Sequence, residues 1–238
     1  MEVEEQFSQL ASLIGEPARA KILWNLLDGR AFTATELSLL AEVSPQSASM
    51  HLNKLTQASL LKVEHQGRHR YYALASREVA YAIEALAGLL ATEKSPKIAG
   101  TLPNGHIKYC RSCYDHLAGK IGVAITDKLI HNKLILPESS PAGNKGTAAG
   151  YHLTPAGLQW FTQLGIDVAE LKAQRRIFTR QCLDWSERRP HLAGSLGAAL
   201  LTSLLKLGWL RKTRNSRALV VTGLGEKQLS ESLRLTLS

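Results

Sequence analysis

Thr33-Ala34-Thr35-Glu36-Leu37-Ser38-Leu39-Leu40-Ala41, followed after a short break by Ser44-Pro45-Gln46-Ser47-Ala48-Ser49-Met50-His51-Leu52-Asn53-Lys54-Leu55, is the stretch that decides the fold. The first segment spaces its apolar residues for a helix and opens on a Thr-x-x-Glu capping box. Glu42-Val43-Ser44 interrupts it. Ser44 as N-cap and Pro45 at the first helical position then start a second helix that runs to about Leu55. Working outward, Leu60-Leu61-Lys62-Val63-Glu64-His65 alternates as a strand, Gln66-Gly67 turns, and Arg68-His69-Arg70-Tyr71-Tyr72-Ala73-Leu74 returns. Helix, tight turn, helix and a basic-tipped hairpin form the pattern of a winged helix-turn-helix.

The second helix indicates what such a module would touch. Ala48, Leu52 and Leu55 recur at i, i+4 and i+7, so they face the core. Pro45, Gln46, Ser47, Ser49, Met50, Asn53 and Lys54 are left outside. Short hydrogen-bonding side chains in a row suit base edges in a major groove, which are read by Gln, Asn, Ser and Lys. His65, Arg68, His69 and Arg70 sit on the wing, where cations neutralise phosphates. The competing reading is a small α/β domain whose polar helix is merely solvated; it leaves the agreement of cap, turn, apolar spacing and basic hairpin unexplained.

These residues resemble the ArsR/SmtB transcriptional repressors. The likeness begins at Leu10-Ala11-Ser12-Leu13-Ile14-Gly15-Glu16-Pro17-Ala18-Arg19-Ala20-Lys21-Ile22-Leu23 and runs through Glu36-Leu37-Ser38. It continues in the Ser-x-x-x-x-Ser-x-His-Leu-x-x-Leu pattern of residues 44–55 and ends on Gly67-Arg68-His69-Arg70-Tyr71-Tyr72. It covers about the first 90 residues. The resemblance implies a homodimer that binds an imperfect palindrome in double-stranded DNA and releases it when an effector arrives. It also implies that the first and last helices of the domain, about Glu4–Gly15 and Ser76–Thr92, form the dimer interface. The family's usual metal sites do not carry over. The helix before the turn has no Cys-x-Cys, and Arg77–Leu86 has no His.

At 238 residues the chain exceeds one winged helix by enough for a second core, and 45% hydrophobic content suits a globular protein. Met1-Glu2-Val3-Glu4-Glu5 is acidic, unlike a signal peptide. Leu192–Leu210 is the most apolar stretch, but Ser195, Thr202, Ser203 and Lys206 spoil it as a membrane span. Three cysteines suggest a reducing cytoplasm. The net charge of +9 is lopsided: residues 1–92 hold 8 Lys+Arg against 10 Asp+Glu, and residues 93–238 hold 21 against 10. Arg175, Arg176, Arg180, Arg188, Arg189, Arg211, Lys212, Arg214 and Arg217 are either solvated faces or a second contact to DNA or an anionic effector.

Thr92–Gly105 is rich in Pro, Gly and polar residues, so residues 93–105 are read as a linker between a 1–92 domain and a 106–238 domain. The second region contains an internal repeat. His116-Leu117-Ala118-Gly119-Lys120-Ile121-Gly122-Val123-Ala124 recurs as His191-Leu192-Ala193-Gly194-Ser195-Leu196-Gly197-Ala198-Ala199. Leu129, Leu134 and Ile135 answer to Leu204, Trp209 and Leu210, and Leu153-Thr154-Pro155-Ala156-Gly157 answers to Val221-Thr222-Gly223-Leu224-Gly225. The copies, about 110–170 and 182–238, read as two winged-helix-like units, the first with a loose wing over 138–150. Their HLAG helices carry glycines that point to close backbone packing, against the partner repeat or a ligand, rather than to groove reading. The fold class expected is mainly α with small β-hairpins (α+β).

Cys110-Arg111-Ser112-Cys113-Tyr114-Asp115-His116 spaces two thiols and an imidazole at three residues, one face if helical. Cys182-Leu183-Asp184-Trp185 echoes it, and His191 follows. Cys110, Cys113, His116, Cys182 and His191 are thus the candidate sensing set, with a metal ion placed at Cys110, Cys113, His116 and Cys182. Thiol redox chemistry and plain packing remain open. Tyr114, Trp160, Trp185 and Trp209 fit core packing, or the walls of an apolar effector pocket. No nucleophile elbow or glycine-rich cofactor loop accompanies Ser186, Glu187 and His191, and Gly143-x-x-Gly146-Thr147 is no P-loop, so no enzyme is expected. The expectation is a cytoplasmic, effector-responsive, homodimeric DNA-binding repressor with a C-terminal sensor. The alternative is a metal- or thiol-buffering protein whose winged helix mediates protein contacts.

Overall fold

The computed structural model describes residues 2–67, 69–89, 104–138, 149–214 and 216–237. The chain divides into two compact units, Met1–Glu84 and Ala85–Ser238. Arg68, residues 93–103 of the expected linker and residues 139–148 of the expected loose wing lie outside the described residues. No helix among the described residues is long and apolar enough to cross a membrane.

The first unit is a winged helix-turn-helix. Helices α1 (Val3–Gly15), α2 (Pro17–Asn25), α3 (Ala34–Ala41) and α4 (Pro45–Gln57) precede a hairpin of β2 (Leu61–Gln66) and β3 (His69–Leu74). A short β1 (Phe32–Thr33) completes an antiparallel sheet of order β1-β3-β2, with Val63 opposite Tyr72 and His65 opposite Arg70. Helix α5 (Arg77–Leu89) follows. The capping box is formed: the Thr33 hydroxyl accepts from the Glu36 N–H, and the Glu36 carboxylate accepts from the Thr33 N–H at 2.7 Å. Glu42 takes a left-handed φ of 58°, which ends α3 and turns the chain into α4. The Ser44 hydroxyl accepts from the Ser47 N–H at 3.1 Å, with Pro45 at the first helical position. Ile22, Leu26, Leu27, Leu37, Ala48, Leu52 and Leu55 form the centre, each without exposed surface. Burying a leucine side chain fully contributes roughly 1.5–3 kcal/mol, so Leu52 and Leu55 are what hold α4 in place.

The second unit repeats one motif: hairpin, helix, hairpin, helix. The first copy is β4 (Arg111–Cys113), β5 (His116–Ala118), α6 (Gly119–His131), β6 (Ile135–Pro137), β7 (Tyr151–Leu153) and α7 (Pro155–Gln163). A short α8 (Val168–Ala173) leads to the second copy: β8 (Arg180–Leu183), β9 (Pro190–Ala193), α9 (Gly194–Lys206), β10 (Leu210–Lys212), β11 (Leu219–Val221) and α10 (Gly223–Leu233). Each pair of strands is an antiparallel hairpin. The copies interlock through their edges. The Ser112 N–H donates to Arg217 O (3.0 Å) and the Leu219 N–H to Cys110 O (2.8 Å), joining β4 to β11. Reciprocally, the Gln181 N–H donates to Ala149 O (2.7 Å), and the Tyr151 N–H to the Thr179 hydroxyl (2.9 Å). A single apolar core from both copies, including Leu129, Phe161, Leu196, Leu204 and Trp209, fills the middle.

Several expectations are corrected here. Cys110–His116 is not helical: it forms the β4–β5 hairpin, because Tyr114 turns at φ 57° and Cys113 pairs across to His116. In each HLAG segment the first three residues are strand, and the helix begins at the glycine. The glycines pack against backbone, as expected, but chiefly that of their own copy. A Cβ on Gly122 would lie 2.7 Å from Leu117 O, and one on Gly197 would strike Leu192 O. Asn104 is no free linker residue: its amide exchanges two hydrogen bonds with the Val221 backbone, at 2.7 and 2.9 Å.

Candidate functional site

The face of α4 opposite Ala48, Leu52 and Leu55 carries the residues singled out for groove reading. Pro45, Gln46, Ser49, Asn53 and Lys54 are exposed, and Met50 shows 49% of its surface. Ser47 is half-buried and tied to the cap, accepting from the Ser44 hydroxyl at 3.1 Å. On the wing, His65, His69 and Arg70 are exposed, and Arg68 lies outside the described residues. The Ser49 hydroxyl donates back to the Pro45 carbonyl at 2.9 Å.

A polar network that periodicity alone does not show fixes the angle of α4. His51 is buried on its inner side. Its Nδ1 lies 3.4 Å from an Arg19 guanidinium nitrogen and 3.5 Å from the Glu16 carboxylate. Glu16 also caps α2, accepting from the Ala18 and Arg19 N–H groups at 3.2 and 2.9 Å. Arg19 donates to the carbonyls of Leu13 and Ser12 at the end of α1 (2.6 and 3.1 Å). Three helices are thereby pinned through one buried guanidinium. The only sign in the sequence was the Glu-Pro-x-Arg and Ser-x-His-Leu wording itself.

The second unit gathers a different constellation. Cys113, His116, Cys182 and His191 place their ligand-type atoms within 4.8 Å of one another. Each repeat gives one Cys-His pair, set directly across a hairpin: Cys113 faces His116 in β4–β5, and Cys182 faces His191 in β8–β9. Cys113 Sγ lies 4.0 Å from Cys182 Sγ, and His116 Nε2 lies 3.1 Å from His191 Nε2. Both histidines are fully buried, Cys113 nearly so, and Cys182 half-buried. His191 therefore joins the set in place of Cys110. Cys110, in the bend just before β4, is fully buried in the apolar core. Burial pushes the Cys110 thiol up to about 12.

The outer ring of this cluster is as ordered as the cluster. His116 Nδ1 sits 3.2 Å from Asp115 Oδ1, and Asp115 accepts from Arg176 at 2.8 Å. His191 Nδ1 sits 3.5 Å from Asp184 Oδ2. Asp184 accepts from Arg111 (2.9 Å), the Gly119 N–H (2.7 Å), the Ser186 N–H and hydroxyl (2.9 and 2.7 Å) and the Glu187 N–H (3.0 Å). Burial opposes the Asp184 charge, yet the Arg111 guanidinium, His191 and these donors hold its carboxyl far below the usual carboxylate range. For His116, burial opposes protonation, but the Cys113 sulfur and Asp115 outweigh it and lift the pKa to about 9. Arg111 lies over the Trp185 ring at 4.4 Å. Part of the basic excess is thus structural: Arg111 and Arg217 are buried, and Arg189 pairs with Asp127 at 2.7 Å. Trp160 and Trp209 serve the core.

Residues 14–64 match a family model described as a helix-turn-helix domain. Over 228 residues the chain is 37% identical to the HTH-type transcriptional regulator YdfF of Bacillus subtilis (strain 168), covering 96% of this chain and 97% of that protein. Among solved structures it is similar to HlyU from Vibrio cholerae N16961 (29% identity, TM-score 0.34, 37% of this chain and 97% of that one). It is also similar to the transcriptional repressor PagR of Bacillus anthracis (26% identity, TM-score 0.31, 35% and 94%).

Proposed function

Since the chain belongs to the HTH-type transcriptional regulators, a group of DNA-binding proteins rather than enzymes, we propose that it is an ArsR/SmtB-type homodimeric repressor whose grip on DNA answers to an effector taken up by residues 106–238. The observation that carries this reading is the outward presentation of Gln46, Ser49, Asn53 and Lys54 from a helix locked behind by Leu52, Leu55 and His51. Asn reads adenine and Gln does likewise, while Lys reads guanine or a phosphate. In this reading the wing residues His65, His69 and Arg70 meet the flanking phosphates. Dimerisation is supported by α1. Within one chain it has no buried residue, and it exposes Val3 (82%), Phe7 (70%) and Leu10 (38%) on an amphipathic helix that a second copy would cover. The cytoplasm is the expected compartment, where such a regulator meets its DNA.

The test is footprinting of the full chain on the DNA upstream of its own gene, with the stoichiometry measured alongside. A protected site with dyad symmetry, occupied by two chains and lost in the Asn53→Ala/Lys54→Ala variant, is the expected result. Equal binding by that variant would overturn the assignment of α4 and favour a buffering protein with a protein-binding winged helix.

A further inference from the structure

We propose that Cys113, His116, Cys182 and His191 form a closed four-coordinate site for one zinc-class divalent cation, each repeat supplying one thiolate and one imidazole. This stands whether or not the chain binds DNA. The distances come first. Zn–N bonds of about 2.0–2.1 Å and Zn–S bonds of about 2.3 Å make a tetrahedron with an N–N edge of about 3.3 Å and an S–S edge of about 3.8 Å. The facing Nε2 atoms are 3.1 Å apart and the facing Sγ atoms 4.0 Å apart. With all four atoms inside 4.8 Å, small side-chain rotations close the site.

The outer partners of the imidazoles fit the same site. Each imidazole turns Nδ1 toward a carboxylate, Asp115 or Asp184. A carboxylate at Nδ1 orients the ring and favours metal binding through Nε2 once that nitrogen gives up its proton. The two Nε2 atoms face each other at 3.1 Å, close enough to share one proton in a hydrogen bond. A cation bound there would displace that proton, and the two sulfurs lie within 4.8 Å of both nitrogens. For His116 this is the carboxylate–histidine–metal arrangement found around protein zinc, and Asp184 stands 3.5 Å from His191 Nδ1 in the other copy, at ion-pair distance. The carboxylates are themselves anchored, by Arg176 and by Arg111.

The donor set chooses the ion class. Two thiolates and two neutral imidazoles balance a divalent charge. They suit zinc and its softer congeners, whereas magnesium and calcium demand oxygen. Four protein ligands in a buried setting describe a closed site, with no position left for a reacting water. A Cys113–Cys182 disulfide would use only the sulfurs, whereas the cation engages all four side chains. Because the ligands come two from each hairpin, the ion would clasp one repeat to the other.

The test uses the full chain, stripped of metal under reducing conditions and titrated with Co(II) and then Zn(II). The expected result is one Co(II) per chain with a tetrahedral ligand-field spectrum and sulfur-to-cobalt charge transfer, displaced by one equivalent of Zn(II). Zn(II) should also raise the melting temperature and shield Cys113 and Cys182 from alkylation, as read by peptide mass spectrometry. Cys182→Ser should lose the charge-transfer intensity of one thiolate, and Cys110→Ser should keep the full spectrum. An octahedral or absent Co(II) spectrum in the wild type overturns the proposal even if every variant misfolds. So does an unchanged spectrum in Cys182→Ser, or a Cys113–Cys182 disulfide that forms in preference to metal uptake.

Discussion

Asp184→Asn is the substitution through which the interlocked C-terminal unit is best tested. Asp184 and Arg111 pair at 2.9 Å with neither side chain exposed to solvent. One carboxylate oxygen serves Arg111 and Gly119; the other serves Ser186 and Glu187. An amide keeps one acceptor and turns an NH2 toward donors on the other side. It also strands the Arg111 guanidinium without its counter-charge. Removing one partner of a buried pair costs about 3–5 kcal/mol. In a unit of this size that lowers the melting temperature by roughly 6–20 °C, at about 2–4 °C per kcal/mol. The assay is thermal and urea unfolding in chelator, followed by intrinsic fluorescence, since Trp160, Trp185 and Trp209 all lie in this unit. Arg111→Met should cost a similar amount. The double variant should cost less than the sum of the two by about 1–3 kcal/mol, because no orphan charge then remains. A single-variant loss below about 1 kcal/mol, the range of an exposed ion pair, would refute the reasoning, as would strict additivity.

Three other outcomes follow from the same geometry. Arg70→Ala should flatten the salt dependence of DNA binding by about 0.9 per chain in log K against log salt while sparing the preference for operator over scrambled duplex; Asn53→Ala should do the reverse, eroding that preference by about 1–3 kcal/mol per half-site, both read by fluorescence anisotropy across a KCl series. Gly122→Ala should lower the melting temperature although alanine is the better helix former by up to about 1 kcal/mol, since its Cβ would lie 2.7 Å from the Leu117 carbonyl; Gly88→Ala, with open space around it, should leave the melting temperature unchanged or raise it. Cys110, its thiol pushed up to about 12, should stay protonated and unmodified by a disulfide reagent at pH 8 in the native protein and react fully once the chain is unfolded, measured by peptide mass spectrometry.

What the sequence determined by itself was everything governed by neighbours a few residues away. Thr33 to Glu36, Ser44 to Ser47 and Gly67 between two alternating stretches are local rules, and α3, α4 and the wing obey them. The spacing of Ala48, Leu52 and Leu55 likewise fixed which face of α4 is buried, and so which face is offered to a partner. The repeat was legible because the two copies solve the same local problem with nearly the same residues.

The cluster of Cys113, His116, Cys182 and His191 was another matter. A three-residue spacing between Cys113 and His116 fits one turn of helix or a tight hairpin equally well. Only the pairing of β4 with β5, and the left-handed turn at Tyr114, decided between them. Cys110, in the bend ahead of β4, is left in the core. Docking one repeat against the other then brought in His191, 75 residues along the chain from His116, stacked on its ring at a centroid distance of 5.0 Å. Local patterns carry information over a few bonds; where two hairpins meet is settled by the packing of a whole core, which no single stretch of the sequence contains.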